Sequence, residues 1–139
     1  MVKYYMKKRL NKYIEEYEEW FMKAESDLRS AEIIFREEDP PTDTICFLLQ
    51  QAVEKYLKGF LLFHKDKYPL IHNLPELLKS CKKYDEYIWD YLEECEVLNG
   101  FYIETRYPSA TPWKYSKTDT KKAFDMAYGL IKYIKRDIQ

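Results

Sequence analysis

Apolar side chains recur at alternating steps of three and four along most of this chain. Ile14, Tyr17, Phe21, Ala24, Leu28, Ala31 and Phe35 fall on one helical face. They predict a long amphipathic helix, beginning as early as Met6. REEDPPTDT ends it, because two prolines cannot continue a helix and each pushes the residue before it out of the α region. A second line, Ile45, Leu49, Ala52, Tyr56, Gly59 and Phe63, is widened by Leu48, Val53, Leu57, Phe60 and Leu61. It predicts a helix opening at Thr42 or Asp43, either a good N-cap. Its polar remainder is narrow: Gln50, Gln51, Glu54, Lys55 and Lys58. A helix apolar around most of its girth is central or sits at an interface. Gly59 costs about 1 kcal/mol against alanine within a helix; close approach of a neighbouring helix or chance tolerance accounts for it.

HKDKYPLIHNLPELLKSC reads as a loop followed by a short helix, with Asn73 as N-cap and Pro75 in the first turn, where its missing N–H is harmless. The next long helix carries Tyr84, Ile88, Tyr91, Cys95, Leu98 and Tyr102 and ends near Glu104 or Thr105, ahead of Pro108. Thr118 or Asp119 caps a last helix whose stripe is Phe124, Ala127, Leu130 or Ile131, and Ile134. No strand pattern, internal repeat or low-complexity tract is found. The expected fold is all-α: an antiparallel four-helix up-and-down bundle with one additional short helix. It forms a single domain over residues 1–139, with its core at about 10–136.

Composition agrees with a soluble globule. Hydrophobic residues make up 46% and charged residues 34% of the 139. A net charge of −1 excludes a global basic field for nucleic acid. The N-terminal arm, with Lys3, Lys7, Lys8, Arg9 and Lys12, is a local basic patch. A frayed, solvated end accounts for it better, since EEYEE follows at once. Cys46, Cys81 and Cys95 are widely spaced and odd in number, with no C-x-x-C pair. Buried free thiols are expected rather than a zinc or redox site. The N-terminus lacks the apolar segment of a signal peptide. No run reaches the roughly 18 apolar residues of a membrane span. A cytoplasmic protein is expected.

Four local patterns then line up. Trp20, Ala24, Asp27, Leu28 and Ala31 form W-x3-A-x2-D-L-x2-A. Phe47 to Gly59 read FLLQQAVEKYLKG. His72, Asn73, Leu74, Leu77 and Leu78 form H-N-L-x2-L-L, and Arg106, Tyr107 and Pro108 form R-Y-P. In this order and spacing the chain resembles the HEPN family (higher eukaryotes and prokaryotes nucleotide-binding) over roughly residues 16 to 135. The resemblance implies a bundle of four main helices, a homodimer, and a minimal nucleotidyltransferase encoded alongside, in some cases as a toxin–antitoxin pair. It also implies a likeness to the helical substrate-binding domain of aminoglycoside nucleotidyltransferases. One branch of the family consists of metal-independent ribonucleases, marked by an arginine with a histidine four to six residues later.

Arg106 is present here, but that spacing leads to Thr111, Pro112 and Trp113. Both histidines, His64 and His72, lie upstream. Cleavage through a 2′-hydroxyl needs a group that exchanges a proton near neutral pH, usually histidine; arginine stays charged and is a poor proton shuttle. A non-nuclease member is therefore expected, with no catalytic residue, no metal and no cofactor.

The candidate ligand residues are Arg106, Tyr107, Lys58, Lys55, Glu54, His72 and Trp113. Arg106 suits a phosphate, and equally an ion pair or a helix C-terminus. Tyr107 and Trp113 suit base stacking, and more simply pin the loop to the bundle. A structureless loop of about 12 residues is uncommon in a compact domain and is often functional. Glu54 and Lys58 stand at i and i+4, on a solvated face or in an anion site. His72, beside the Asn73 cap, is structural or stands in for the missing histidine. His64 and His72 lack the acidic partners of a metal site. Asp27, near the core stripe, suits a hydrogen bond or a pair across helices; as a catalytic carboxylate it has no identifiable mate.

The expected function is a non-catalytic HEPN protein that binds a nucleotide or phosphate ligand and partners a minimal nucleotidyltransferase. The alternatives are a metal-independent ribonuclease toxin, or a target of tyrosine AMPylation at Tyr102 or Tyr107.

Overall fold

The computed structural model describes residues 14–104 and 114–138. Its elements are α1 (Glu16–Phe35), α2 (Thr42–Phe63), α3 (Leu74–Cys81), a 3-10 segment (Glu86–Tyr91), α4 (Leu92–Glu104) and α5 (Lys117–Ile138). There is no strand among the described residues. The four long helices run alternately up and down, with α3 as the additional short helix. Tyr17 meets Phe63 at 5.2 Å and Phe21 meets Tyr56 at 4.8 Å, so α1 and α2 are antiparallel. Glu25–Lys135 at 2.6 Å and Phe35–Phe124 at 5.1 Å set α5 antiparallel to α1. Phe47 faces Tyr102, which places the end of α4 beside the start of α2.

Helix α2 occupies the centre and packs against α1, α3, α4 and α5. Ile45, Leu49, Ala52, Val53, Leu57 and Phe60 are fully enclosed. The breadth of its apolar face is thus used within one chain, and that breadth alone calls for no second subunit. Small residues on α1, Ala24 and Ala31, let the two backbones approach. Gly59 sits at the same close approach, against Phe21 and the Tyr17 carbonyl. Past Phe63 the chain turns through Lys65 at φ 64°, and Asp66 N–H bonds back to the Leu61 carbonyl at 3.0 Å. This is the hydrogen bond of a Schellman stop. All three cysteines are buried, and none forms a disulfide. Burial, followed by the charges of Glu94 and Glu96, pushes the Cys95 thiol up to about 12.

Helix ends differ from the expectations at four places. Thr42 is the first residue of α2 and not its cap, which is Pro41 without a side-chain bond. The Thr42 hydroxyl is engaged elsewhere: it donates to the Tyr115 carbonyl and accepts from the Tyr115 N–H, both at 2.8 Å. That pair staples the start of α2 to the start of α5. Ser116, rather than Thr118 or Asp119, caps α5, its hydroxyl accepting from Asp119 N–H at 3.0 Å. The helix expected from Tyr84 onward begins instead as the 3-10 segment, capped by Asp85 accepting from Tyr87 N–H at 3.0 Å. Ile88, Cys95 and Leu98 are nevertheless buried as the spacing requires, because steps of three and four suit either helix type over one turn. Asn73 caps α3 as expected, accepting from Glu76 N–H at 2.9 Å. The first helix starts at Glu16, with Glu15 outside it at φ −58° and ψ 145°, so it does not run back through Ile14 as the apolar stripe predicted; residues 1–13 lie outside the described residues.

Candidate functional site

Gln50, Glu54 and Lys58 stand four residues apart and so form one line along α2. Of the two readings left open for Glu54 and Lys58, a solvated face or an anion site, the solvated face does not hold, while Gln51 and Lys55 of the same strip stay partly exposed. Gln50 is 0%, Glu54 3% and Lys58 5% exposed. What encloses Lys58 comes partly from other elements. Its ammonium lies 5.6 Å from the Trp20 ring of α1 and 5.4 Å from the Tyr68 ring of the loop after α2. Trp20 and Tyr68 meet edge to face at 5.2 Å. Aromatic faces attract the cation and screen it from water.

Glu54 is the hub. It accepts from Lys58 Nζ at 3.1 Å and from Gln50 Nε2 at 3.2 Å. Both of its oxygens lie 3.1 Å from His72 Nδ1. Gln50 Nε2 also reaches the His72 carbonyl at 3.4 Å, and its own Oε1 accepts from Gln51 at 2.7 Å. Every buried side-chain polar atom among the described residues has a partner. A buried carboxylate is tolerated only on such terms.

The line reaches the surface at His72, whose side chain is 53% exposed. Its ring stacks on Tyr102 of α4 at 4.8 Å and 14°. Asn73 caps α3 immediately after it, and Leu74 N–H donates to Asn99 Oδ1 at 2.9 Å. The site is therefore a corner where α2, α3 and the end of α4 meet.

Of the candidate residues, Glu54, Lys58 and His72 come together here. Lys55 does not join them; it pairs with Asp27 of α1 on the neighbouring face of α2. Arg106, Tyr107 and Trp113 lie outside the described residues. Gln50, Trp20, Tyr68 and Tyr102 complete the corner without being among the candidate ligand residues. Of these only Gln50 carries a signal in the sequence for this line, the four-residue repeat it forms with Glu54 and Lys58. Among the described residues no group of three or more His, Cys, Asp or Glu is placed to hold a metal ion. No helix among them is long and apolar enough to cross a membrane. A separate cleft of about 310 Å³ lies between α1 and α5, lined by Glu32, Phe35, Lys121, Phe124, Asp125 and Tyr128. It contains no histidine and does not reach the corner.

Residues 17–137 match the HEPN domain family. The chain belongs to that family. Two solved structures share the fold of this HEPN protein. One is TT1696 from Thermus thermophilus, with 27% identity, a TM-score of 0.77, and coverage of 88% of this chain and 98% of that one. The other is ST0689, an archaeal HEPN homologue, with 25% identity, a TM-score of 0.73, and coverage of 91% and 100%. No curated protein matches the chain. The all-helical bundle expected from the periodicity and the family expected from the four motifs thus both hold.

Proposed function

We propose that this HEPN protein is a non-catalytic binding partner of a minimal nucleotidyltransferase, and that it offers a nucleotide or phosphate ligand the corner at Glu54, Lys58 and His72. One observation carries this reading. A charged line is built into the central helix of the bundle and reaches solvent at the half-exposed His72. A buried ion pair is often no more stable than apolar packing of the same volume. A chain that keeps one on an otherwise apolar helix departs from the local rule, and such departures concentrate at functional sites. Arg106 and Tyr107 follow Tyr102 by four and five positions in the sequence. They would supply a permanently charged fork for phosphate and a ring for stacking. No histidine follows Arg106, which is why binding is proposed and not RNA cleavage.

Calorimetry with ATP, GTP and short RNA tests the ligand, with Arg106→Ala and His72→Ala beside the native protein. Binding that weakens in both variants supports the corner. Absence of binding by the native protein removes the ligand. A pull-down from native cell extract that never recovers a nucleotidyltransferase removes the partner. The same reading has the protein as a homodimer, although its central helix is already covered within one chain. Mass decides this: sedimentation equilibrium at micromolar concentration showing only a 17.0 kDa species removes the dimer.

A further inference from the structure

His72 is held in one tautomer and one attitude. Glu54 is enclosed, and an ionised carboxylate only accepts hydrogen bonds. Nδ1, at 3.1 Å from both of its oxygens, must therefore carry the proton. In its neutral form the ring then keeps its lone pair on Nε2, the nitrogen with no hydrogen-bond partner among the described residues. Tyr102 covers one face of the ring, while more than half of the side chain stays open to solvent. Gln50 holds the carbonyl of the same residue. Glu54 does not depend on His72 to be satisfied, because Lys58 and Gln50 already donate to it. It can therefore respond to charge on the ring without itself moving.

We propose that His72 is a nucleophilic acceptor site for a phosphorus-centred group, with Nε2 as the attacking atom and Glu54 as its positioning residue. The Nε2 lone pair forms the new bond to phosphorus. The bond from phosphorus to its leaving group breaks, and that group departs with the electron pair. The leaving group is ammonia from phosphoramidate, or pyrophosphate or a nucleoside diphosphate from a nucleoside triphosphate. The ring keeps its Nδ1 proton and becomes an imidazolium, and Glu54 faces the charge it has gained. Fixing of the second ring nitrogen by a carboxylate sets the tautomer and leaves the first as the acceptor. The choice of phosphorus rests on the nucleotide ligand proposed above; the nucleophile itself does not.

The other histidine is an internal control. The His64 ring lies against Tyr84 at 4.6 Å and 7° and against Phe60 at 4.6 Å, and its side chain makes no hydrogen bond among the described residues. The test treats the pure full-length protein with potassium phosphoramidate, which needs no partner protein and no nucleotide site. Phosphohistidine is then located by peptide mass and by phosphorus NMR. The expected result is labelling of His72 at Nε2 about tenfold faster than His64, the rate equivalent of one charge-assisted hydrogen bond gained in the transition state. Glu54→Gln should lose that preference. Equal labelling of the two histidines, labelling of His72 at Nδ1, or an undiminished rate in a folded Glu54→Gln overturns the proposal. Where Glu54→Gln does not fold, long-range proton–nitrogen correlation on the native protein decides: a proton on Nδ1 of neutral His72 is required, and a proton on Nε2 overturns it. A second arm with ATP and native cell extract separates transfer of a phosphoryl group from transfer of a nucleotidyl group by the mass added at His72; no addition of either kind there counts against the proposal. Failure to label His72 leaves nucleotide binding by the corner standing, and failure of nucleotide binding leaves the nucleophile standing.

Discussion

The Phe21 ring of α1 occupies the space that a side chain on Gly59 of α2 would need. A Cβ built on Gly59 falls 2.5 Å from Phe21 Cε1 and 3.3 Å from the Tyr17 carbonyl oxygen. The ring has little room to retreat, since it stacks on Tyr56 at 4.8 Å and meets Tyr17 edge-on at 5.7 Å. Gly59→Ala gains about 1 kcal/mol of helix propensity. Overpacking a close interface costs about 1–3 kcal/mol. The net expectation is destabilisation by about 1 kcal/mol, and more for Gly59→Val. Urea denaturation checks it; a Gly59→Ala protein more stable than the native one would show that the helices separate freely.

Glu54 and Lys58 should behave as one unit. Removing a single partner from a buried pair leaves an uncompensated charge and costs about 3–5 kcal/mol. Lys58→Met is expected to be the milder change, because Gln50 and His72 still face Glu54. Glu54→Gln leaves the Lys58 charge with a neutral amide and the Trp20 and Tyr68 rings. The double variant Glu54→Gln, Lys58→Met should recover about 1–3 kcal/mol relative to the sum of the singles. Additive losses in denaturant midpoints would mean that the pair is not coupled.

Periodicity makes the helices legible but not what covers them. Ala24, Leu28, Ala31 and Ile134 lie where steps of three and four put them, because that spacing is a property of the helix itself. Asn73 is legible as a cap for a similar reason: its acceptor role and Pro75 are both local. Thr42 is not, because its hydroxyl answers to Tyr115, a partner 73 positions away, whereas the Ser116 cap, which accepts from Asp119 three residues on, is as local as that of Asn73. The polar line on α2 can be read as a line, yet its enclosure depends on Trp20 and on Tyr68, whose positions no spacing rule supplies. The same holds for His72: its place beside Asn73 is visible, while its contacts with Glu54 and Tyr102 arise only from the packing of α3 and α4 against α2.

Lys65 offers a stabilising substitution. It is exposed and sits at φ 64° in the turn that ends α2. A left-handed conformation costs a side-chain-bearing residue about 1–2 kcal/mol. Glycine escapes that cost but loses more conformational freedom on folding, by about 0.5–1 kcal/mol. Lys65→Gly is expected to stabilise by about 0.5–1 kcal/mol, and Lys65→Ala, which keeps the strain, to change little. Thermal unfolding of the two variants side by side checks this, and equal midpoints would mean that the turn relaxes to another conformation.

Alkaline pH should unfold the bundle through its tyrosines. Burial, reinforced by the carboxylates that accept their hydroxyls, raises the phenols of Tyr56 with Glu25, Tyr128 with Glu32, and Tyr133 with Asp85. In the unfolded chain these groups ionise near their ordinary value, about 10. A group whose folded pKa lies above its unfolded one contributes stability that is complete below the unfolded value. That stability is lost as pH rises beyond it, because only the unfolded chain then releases the proton. The native protein should therefore hold its stability up to about pH 10 and lose it progressively above. Ultraviolet titration of the phenolate band, followed beside circular dichroism, checks this. Tyr56, Tyr128 and Tyr133 should ionise only in step with the loss of the helical signal. Tyr56→Phe should flatten the alkaline loss by removing one such proton, at the cost of its hydrogen bond to Glu25 near neutral pH. A smooth phenolate titration complete before the helix signal falls would show that these hydroxyls are not held by their carboxylates.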